Sequence, residues 1–457
     1  MALSADETAQ ELGRTLGGTV SGLHRLSGGA SRITSAFDLV TNGAVRPLIL
    51  QQDRGGGMAP AGRVNTEAAL LRAAAAVGVP VPQVVALGDG ARGDAMGTGW
   101  LVVDRIEGET IPRKILRDSE WAQARAALTA QCGHALAAIH AIDPGGIAGL
   151  PHRDPLRDPL VFLDALHEVR PALELGVRWL EANRPMTESR VTVHGDFRTG
   201  NLLIGPEGLR AVLDWELAHG GDAAEDIGWL CAPAWRFGGP GEVGGFGRVE
   251  DLLDAYVAAG GEEMDAARVV WWQVYATIKW ATICAMQASA HLSGATRSVE
   301  LAAIGRRVCE SEWDLFVLLG VVPGEDEPPV DSSETVHPFG RPTALELVEA
   351  VREYVETGVM AKSEGGARFE ARIARNALLM AERQLRLGPS ITASHQARLA
   401  QLGFSDDSAL AAAIRSGAFD TDWTDVGRAL AASARDQLLV ANPGYLPVAR
   451  TEGRPMP

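Results

Sequence analysis

The chain has 457 residues, of which 46% are hydrophobic and 22% are charged, and its formal net charge is −16 at pH 7. These proportions are those of a globular protein with enough apolar material for two or three packed units, which excludes a chain that stays disordered. The acidic balance excludes the basic footprint of a typical nucleic-acid-binding protein, so we expect no nucleic-acid partner.

The cysteines and the hydrophobic segments indicate a cytoplasmic protein. The cysteines are spread along the chain without a Cys-x-x-Cys pair, which is typical of small buried thiols in a reducing compartment. The first residues carry no basic segment followed by an apolar run, as a secretory signal would. No stretch approaches about 18 uninterrupted apolar residues, so we expect no membrane association. The cysteines are Cys132, Cys231, Cys284 and Cys309.

The N-terminal part of the chain predicts a small antiparallel sheet. After an amphipathic helix over residues 4–16, alternating patterns predict strands over 20–26, 33–40 and 45–50. Between the first two strands lies a loop of small residues, whose backbone N–H groups can approach a phosphate group closely. Together with the motif over 191–214 described below, this loop predicts nucleotide contacts from Ser27, Gly28, Gly29 and Ser31.

Residues 64–77 predict a helix with Glu67 in its first turn, where the helix dipole favours a carboxylate. Two further strands are predicted over 83–87 and 99–106. The short segment 107–109 then precedes a mainly helical region and is predicted to be a hinge.

Residues 121–142 carry apolar side chains at three- and four-residue spacing, which predicts a long helix. His134 and His140 lie on it, and we interpret both as surface or core side chains because no second ligand stands at metal-binding spacing. One or two further helices are predicted over 154–182.

Residues 191–204 carry the strongest chemical signal. An apolar strand over 191–193 leads directly into His194 and Asp196, and Asn201 follows in the same loop. A strand that ends in a polar loop presents such side chains at one edge, where they are available for chemistry.

Two apolar runs follow this loop and predict a β-hairpin. They cover 202–204 and 211–213, and a Gly-Pro-Glu-Gly turn separates them. Because a hairpin returns the chain to its starting end, we expect Asp214 to lie near both Asn201 and Asp196.

Two carboxylates and one amide in this order are what Mg²⁺-dependent phosphoryl transfer requires. One carboxylate orients or deprotonates the attacking hydroxyl, while the amide and the second carboxylate hold the metal ions that bridge the phosphates. The order Asp-x4-Asn, hairpin, Asp resembles the catalytic and metal-binding loops of protein kinases. The phrase His-Gly-Asp-x4-Asn, followed by Leu-Asp-Trp-Glu, more closely resembles the aminoglycoside phosphotransferase (APH) family and its choline- and acyl-CoA-associated relatives. The alternative is a hairpin whose aspartates only cap turns.

The resemblance extends over residues 20–320 and implies an α+β, bilobal, protein-kinase-like fold. A small antiparallel sheet lobe would occupy 1–106, and a large, mainly helical lobe would occupy 107–320. A linker over 321–340, rich in proline, glycine, serine and acidic residues, would then lead to a small all-helical domain over 341–457.

The resemblance also implies roles for the residues of the motif. Asp196 would accept the proton of the hydroxyl group, and His194 would brace the loop through hydrogen bonds. Asn201 and Asp214 would hold Mg²⁺, with ATP or GTP as the phosphoryl donor. The nucleotide base would lie against the backbone of Asp104, Arg105 and Ile106.

The third strand departs from the pattern that the resemblance implies. Gln51 stands where the family has a lysine or arginine that binds the phosphates, with Gln52 as the alternative if the register differs by one residue. We consider Arg54 or Arg63 as a replacement for the missing positive charge. In the family a glutamate near Glu67 anchors the lysine, whereas here the helix-dipole interpretation is an equal alternative.

Beyond the hairpin, Asp222 followed by Glu225 predicts a helix N-cap with a capping box. The resemblance gives Asp226 the role of bracing the catalytic loop. Residues 265–290 predict a buried helix with broad apolar stripes, and 299–319 predict one more long helix.

The C-terminal region predicts amphipathic helices without a cofactor motif. It resembles an uncharacterised helical module found beside phosphotransferases of the acyl-CoA-linked branch. Homodimerisation, docking of a protein partner and substrate delivery are all open for it. The predicted helices cover 342–356, 369–387, 390–402, 406–416 and 424–440.

We therefore expect a Mg²⁺-requiring, ATP- or GTP-dependent phosphotransferase that acts on a hydroxyl group of a small molecule. The acyl-CoA-associated relatives suggest a hydroxyacyl-CoA-type acceptor, and an aminoglycoside is the alternative. Because Gln51 replaces the strand lysine, a non-catalytic nucleotide- or ligand-binding pseudokinase is a rival. A scaffold that acts only through residues 340–457 is a third hypothesis.

Overall fold

The computed structural model describes residues 3–26, 32–53, 63–90, 96–156, 161, 164–165, 168–186, 190–323, 327–331 and 341–446. Its contacts divide the chain into two compact units. The first unit comprises residues 1–154 and 186–272, and the second comprises 155–185 and 273–457. The predicted domain boundaries stay predictions.

The described strands are β1 (Thr19–Arg25), β2 (Arg32–Thr41), β3 (Ala44–Asp53), β4 (Val84–Gly88), β5 (Trp100–Asp104), β6 (Val191–Val193), β7 (Leu202–Gly205), β8 (Gly208–Val212) and β9 (His219–Gly221). The described α-helices are α1 (Ala5–Leu16), α2 (Arg63–Ala76), α3 (Pro112–Arg117), α4 (Ala122–His140), α5 (Pro171–Ala182), α6 (Ala224–Cys231), α7 (Val249–Ala258), α8 (Ala266–Leu292), α9 (Val299–Ile304), α10 (Val308–Leu318), α11 (Ala344–Glu353), α12 (Gly365–Gln401), α13 (Asp407–Arg415) and α14 (Thr424–Ala441).

The first unit begins with the antiparallel sheet that the sequence predicts, in the order β1-β2-β3-β5-β4. The tight link between β2 and β3 is the turn Asn42-Gly43, where φ is +51° and +79°. Positive φ at both central residues gives a turn whose twist matches that of the flanking strands, and Asn-Gly accepts it at low cost. The pairing continues from this turn until Arg32 lies opposite Asp53.

The sheet has an apolar core on one face and a cleft on the other. Alternation along β2 and β3 sends one set of side chains toward α1, as the period of two in a strand requires. The other face of the sheet carries Thr34, Ala36, Ile49 and Gln51 into the cleft described below. The core on the α1 side comprises Leu12, Phe37, Leu39, Leu48, Leu50, Met96, Trp100 and Val102.

The remainder of the first unit is mainly helical and carries two short two-stranded sheets. Strand β6 pairs with β9, and β7 pairs with β8 in the predicted hairpin. The long helix α4 packs against α7 and β8. These elements share one hydrophobic core with α2, in which Leu128, Leu136 and Ile139 have no exposed surface.

The second unit is helical and differs from the prediction in two places. Predicted helices over 369–387 and 390–402 are one continuous helix, α12, with Pro389 inside it. The proline removes one backbone hydrogen bond, at a cost of about 3 kcal/mol, and packing against α11 and α14 outweighs this cost. The predicted helix over 299–319 is instead two helices separated by a 3₁₀ turn over Gly305–Arg307.

That break has a packing reason. A Cβ atom at Gly305 would lie 2.6 Å from the Cβ of Ala288 on α8, so the backbone approaches α8 more closely there than a side chain allows. The four cysteines are buried free thiols, as predicted. Among the described helices, none combines the length and apolar composition that a membrane span needs.

The α4 core gives a stability prediction. Leu128→Ala removes a fully buried side chain, so the unfolding free energy should fall by about 2–5 kcal/mol through lost burial and the cavity left behind. Val77→Ala, at a side chain that is 42% exposed, should change it by less than about 0.5 kcal/mol. Urea unfolding followed by tryptophan fluorescence measures both variants. A Leu128→Ala protein as stable as the wild type would contradict the packing.

Candidate active site

The hairpin brings the predicted site residues together. The backbone N–H of Leu213 donates to the carbonyl of Asn201 at 2.8 Å, which places Asp214 beside the start of β7. The amide nitrogen of Asn201 donates to the Oδ2 atom of Asp196 at 2.5 Å and to its backbone carbonyl at 3.0 Å. Asp196, Asn201 and Asp214 therefore lie in one neighbourhood, as the sequence predicts.

Asp196 has one fixed carboxylate orientation. Its Oδ1 atom accepts hydrogen bonds from the indole N–H of Trp229 at 2.8 Å and from Nε of Arg198 at 2.9 Å. With the bond from Asn201 to Oδ2, both oxygen atoms have partners, and the side chain is 12% exposed. Charge-assisted bonds of this kind are stronger than neutral ones, so they hold the carboxylate in place.

Sequence reasoning missed Trp229 and Arg198. Trp229 lies three residues after Asp226 on α6, and this spacing places both side chains on the same helix face. Arg198 is two residues from Asp196, and its guanidinium group lies 4.6 Å from the ring centre of Trp235. The three-residue spacing of Asp226 and Trp229 was the signal available in the sequence. It becomes informative once the position of α6 beside Asp196 is known.

His194 connects the catalytic loop to the end of the hairpin. Its Nδ1 atom accepts the backbone N–H of Asp196 at 3.2 Å, and its Nε2 atom lies 3.1 Å from the carbonyl oxygen of Leu213. Burial lowers the pKa of His194, so the neutral ring donates from Nε2 and accepts at Nδ1. This arrangement agrees with a bracing side chain.

The buried carboxylate of Asp226 binds the backbone of the same loop. It accepts the backbone N–H groups of His194 at 2.7 Å and Gly195 at 2.8 Å, and His140 contacts it at 3.3 Å. Burial raises the pKa of Asp226, but the hydrogen bond and charge of His140 and the bond from His194 outweigh burial and hold it below its usual value. Gly195 is required because φ is +78° and a Cβ atom would lie 2.5 Å from the carbonyl oxygen of Leu217.

His140 is a satisfied core histidine, as predicted, with Tyr256 as its second partner at 2.8 Å. The predicted capping box at Asp222 and Glu225 is wrong. Helix α6 begins at Ala224, so Glu225 stands at its second position and its carboxylate pairs with His219 at 2.9 Å. Asp222 does accept the N–H of Ala224, at 2.8 Å.

Asp214 has an uncompensated carboxylate. Burial, followed by the charges of Glu216, Asp196 and Glu67, raises the pKa of Asp214 to about 7, against an opposing effect of Arg198. No salt bridge to Asp214 occurs within the described parts of the chain. Its φ of +61° is unusual for a residue with a side chain, and such strain is concentrated at functional sites.

The donor set fits a magnesium ion. Mg²⁺ prefers oxygen ligands and is usually held by one or two carboxylates together with substrate phosphates and water. Asp214 supplies a carboxylate, and Asn201 supplies an amide oxygen because its nitrogen is engaged by Asp196. The described residues contain no group of three or more His, Cys, Asp or Glu side chains that would hold a metal by themselves.

A cleft of about 560 Å³ lies between the sheet and the hairpin of the first unit. Asn201 and Asp214 line it together with all five of the predicted nucleotide-contact residues that are described. Gln51 rather than Gln52 faces this cleft, which settles the register. The predicted contacts that line it are Gln51, Glu67, Asp104, Arg105 and Ile106. The predicted contacts Ser27, Gly28, Gly29 and Ser31 lie outside the described residues.

The hinge backbone is partly engaged within the protein. The N–H of Asp104 donates to the carbonyl of Gln83 at 3.0 Å, and that of Arg105 donates to Pro47 at 3.1 Å. Of the three predicted base-contact residues, Ile106 is the one whose N–H has no backbone acceptor among the described residues.

Glu67 pairs with a residue that the sequence analysis did not consider. The partner is neither a β3 side chain nor Arg63. Glu67 is 3% exposed and forms a 2.5 Å ion pair with Arg32 on β2. Arg63 pairs instead with Glu216, and Arg54 lies outside the described residues. Strand pairing places Arg32 beside β3, and the sequence alone does not show this register.

The contacts of Asp226 give a second prediction. Asp226→Asn replaces one acceptor oxygen by a donor, so a buried backbone N–H in the loop loses its partner and the unfolding free energy should fall by about 2–4 kcal/mol. Asp251→Asn on the exposed face of α7 is the control and should change it by less than about 0.5 kcal/mol. Chemical unfolding at pH 7 measures both, and equal stability of the two variants would contradict the bracing role.

The stability difference between the wild type and Asp226→Asn should depend on pH in a defined direction. Because the folded pKa of Asp226 lies below its unfolded value of about 3.9, its contribution is present above that value and is lost as the pH falls through the folded pKa. The stability difference between the wild type and Asp226→Asn should therefore narrow below about pH 4. A difference that widens on acidification would contradict this.

The charge of Asp214 gives a third prediction. In EDTA at pH 8 the buried carboxylate is repelled by its acidic neighbours, so Asp214→Asn should raise the unfolding free energy by about 1–3 kcal/mol. Asp254→Asn, on an exposed surface, should leave it unchanged within about 0.5 kcal/mol. Thermal and urea unfolding measure the difference. A destabilised Asp214→Asn protein would show that the carboxylate is compensated without a cation.

Comparisons with known proteins bear on the family and the fold of the chain. The model of the phosphotransferase enzyme family, APH, matches residues 23–270, and that of a domain of unknown function, DUF6285, matches 361–445. Mouse (Mus musculus) acyl-CoA dehydrogenase family member 10 is 29% identical over 199 residues, which are 41% of this chain and 18% of the mouse protein. The chain thus matches less than a fifth of that relative's length.

The chain is also similar to solved structures. A candidate aminoglycoside phosphotransferase of Ralstonia eutropha JMP134 is 20% identical, with a TM-score of 0.54 over 68% of this chain and 98% of that one. A thermostable mutant of aminoglycoside phosphotransferase APH(4)-Ia, in complex with AMP-PNP and hygromycin B, is 18% identical, with a TM-score of 0.47 over 67% of this chain and 98% of that one. The family match extends over more than half of the sequence, and its kinase-like fold is the one observed: the chain belongs to the APH phosphotransferase enzyme family.

Proposed function

We propose that this protein transfers the γ-phosphoryl group of ATP or GTP to a hydroxyl group of a small molecule in a Mg²⁺-dependent reaction. The observation that carries the proposal is the convergence of Asp196, Asn201 and Asp214. Two of them, Asn201 and Asp214, line a cleft that also contains the segment 104–106 predicted to contact the base. A kinase-type site needs one carboxylate for the acceptor and an amide and a second carboxylate for the metal, and these three side chains supply that set.

The nucleotide would occupy the cleft, with its base against the hinge and its phosphates toward Asp214. The N–H of Ile106 would donate to the base, because the N–H groups of Asp104 and Arg105 already donate to Gln83 and Pro47. When bound, Mg²⁺ would supply positive charge that offsets the charge developing on the phosphates. Asn201 and Asp214 would hold it through one amide oxygen and one carboxylate.

Asp196 would accept the proton of the acceptor hydroxyl. Its three hydrogen bonds from Trp229, Arg198 and Asn201 fix the direction of the carboxylate. In a loose transition state, the position of this group matters more than its basicity. Arg198 is a positioning residue in this proposal, because it acts on the reaction through Asp196.

The acceptor class is the finer part of the proposal. The mouse relative is named as a member of an acyl-CoA dehydrogenase family, which supports a hydroxyacyl-CoA-type acceptor. An aminoglycoside is the alternative. The nucleotide preference between ATP and GTP is likewise for experiment to decide.

A pseudokinase is the second candidate because Gln51 lines the cleft where the resemblance places a lysine. The two functions differ in metal dependence and in turnover. A catalytic protein binds nucleotide more tightly with Mg²⁺ and forms a phosphoester, whereas a pseudokinase binds nucleotide or another ligand and forms no product.

The fourth prediction tests catalysis directly. With ATP or GTP, Mg²⁺ and a panel of hydroxyacyl-CoA esters and aminoglycosides, mass spectrometry should detect a phosphorylated acceptor. Asp196→Asn should lower the rate of its formation by about 10²–10⁴-fold, as expected for loss of a general base, while nucleotide affinity stays within about threefold. Asp251→Asn is the matched control and should keep wild-type turnover.

Two results would contradict the proposal. Undiminished turnover by Asp196→Asn would remove Asp196 from the chemistry. Nucleotide binding that is unchanged by Mg²⁺, with no product from the whole panel, would favour the pseudokinase.

A further inference from the structure

Arg32 is a buried cation at the wall of the cleft. It is 6% exposed and lines the cleft with Gln51. On the paired strands, Arg32 lies opposite Asp53, and Thr34 lies opposite Gln51. Because directly opposed residues of an antiparallel pair share one face, Arg32 and Gln51 are diagonal neighbours on the cleft side of the sheet.

Two carboxylates fix the guanidinium group. Nε of Arg32 donates to Asp53 at 3.0 Å, and Nη1 donates to Glu67 at 2.5 Å. Burial alone lowers the pKa of Arg32, but the charges of Glu67 and Asp53 outweigh burial and raise it. The group is therefore a permanent positive charge in a fixed orientation.

One donor of this group is left over. The Nη2 atom is buried and has no hydrogen-bond partner among the described residues. Leaving a buried donor unpaired costs about 1–3 kcal/mol, and more for a charged group. Non-bridging phosphate oxygens are strong acceptors for guanidinium donors, so a phosphate in the cleft would satisfy this atom.

The other cations near the cleft are engaged elsewhere. Arg63 pairs with Glu216, and Arg105 at the hinge pairs with Asp38 at 3.2 Å. Of the described cleft-lining residues, Arg32 and Arg105 are the arginines. Of these described arginines, Arg32 is the one that pairs with Glu67 and is a diagonal neighbour of Gln51.

We propose that Arg32 binds the phosphates of the nucleotide, so that the cation anchored by Glu67 comes from β2 instead of β3. The leftover Nη2 donor would meet a non-bridging oxygen of a nucleoside di- or triphosphate. Gln51 then does not disable the site, because the neighbouring strand supplies the charge. This inference rests on the proposed nucleotide-dependent function.

Isothermal titration of the full chain with ADP and with adenosine, and with GDP and guanosine in parallel, tests the proposal. Arg32→Gln should weaken binding of the diphosphate by about 10–100-fold, the loss of a hydrogen bond to a charged group, and leave nucleoside affinity within about twofold. Arg14→Gln, at an exposed ion pair with Glu11 on α1, is the control and should change neither affinity by more than about twofold.

Two further variants separate binding from folding. Because Arg32→Gln leaves Glu67 without its partner, Arg32→Gln/Glu67→Gln removes both charges, and its unfolding midpoint reports whether the first unit is intact. This folded double variant should show the same selective loss of ADP affinity. Adding Gln51→Lys to Arg32→Gln should restore at least part of that affinity, since it puts a cation back at the neighbouring position.

The outcomes are distinct. Equal losses for ADP and adenosine, or no loss in a folded variant, overturn the role of Arg32 and show a purely structural ion triad. If the wild type binds neither the diphosphates nor the nucleosides, the proposed nucleotide-dependent function fails and this inference fails with it. A selective loss of diphosphate affinity with rescue by Gln51→Lys supports it.

Discussion

The geometry of the site depends on the hydrogen bonds that the buried carboxylate of Asp226 accepts from the loop backbone. This carboxylate accepts the N–H groups of His194 and Gly195, which fixes the start of the catalytic loop against α6. From this anchor, His194 connects Asp196 to the last residue of the hairpin before Asp214. A carboxylate with no exposed surface can do this because its oxygen atoms find backbone and histidine donors. The positions of the groups that we propose to react thus depend on one buried acceptor.

Two charged groups that line the cleft, Arg32 and Asp214, are each incompletely satisfied by the described residues. Arg32 binds Glu67 and Asp53, and its Nη2 atom has no hydrogen-bond partner among the described residues. Asp214 has a carboxylate whose pKa is raised by burial and by other acids. A nucleotide phosphate with its metal ion has the two features that these groups lack, namely acceptor oxygens for Arg32 and positive charge for Asp214. The complementarity of both ends is the physical basis for the proposed function.

The sequence predicted the parts of the site that depend on local spacing. Asp196 and Asn201 stand in one loop, and the hairpin returns Asp214 to them, so strand patterns and a Gly-Pro turn were sufficient. Arg32 and Trp229 were not predictable in this way, because their roles depend on the pairing register of β2 and on where α6 packs. The C-terminal helix that continues through a proline shows the same limit. Local rules mark a break there, and packing against neighbouring helices overrides it.

We propose that Asn201 and Asp214 hold the metal ion of a bound nucleotide through two oxygen ligands. Mn²⁺ binding tests this proposal without requiring turnover. Mn²⁺ replaces Mg²⁺ in such sites and has an electron paramagnetic resonance signal that changes when the ion is immobilised. In the presence of ADP, the wild type should bind Mn²⁺ with the broadened signal of a held ion. Asp214→Asn and Asn201→Leu should each weaken that binding by at least about tenfold, the loss of one ligand. Equal Mn²⁺ affinity in all three proteins would contradict the account.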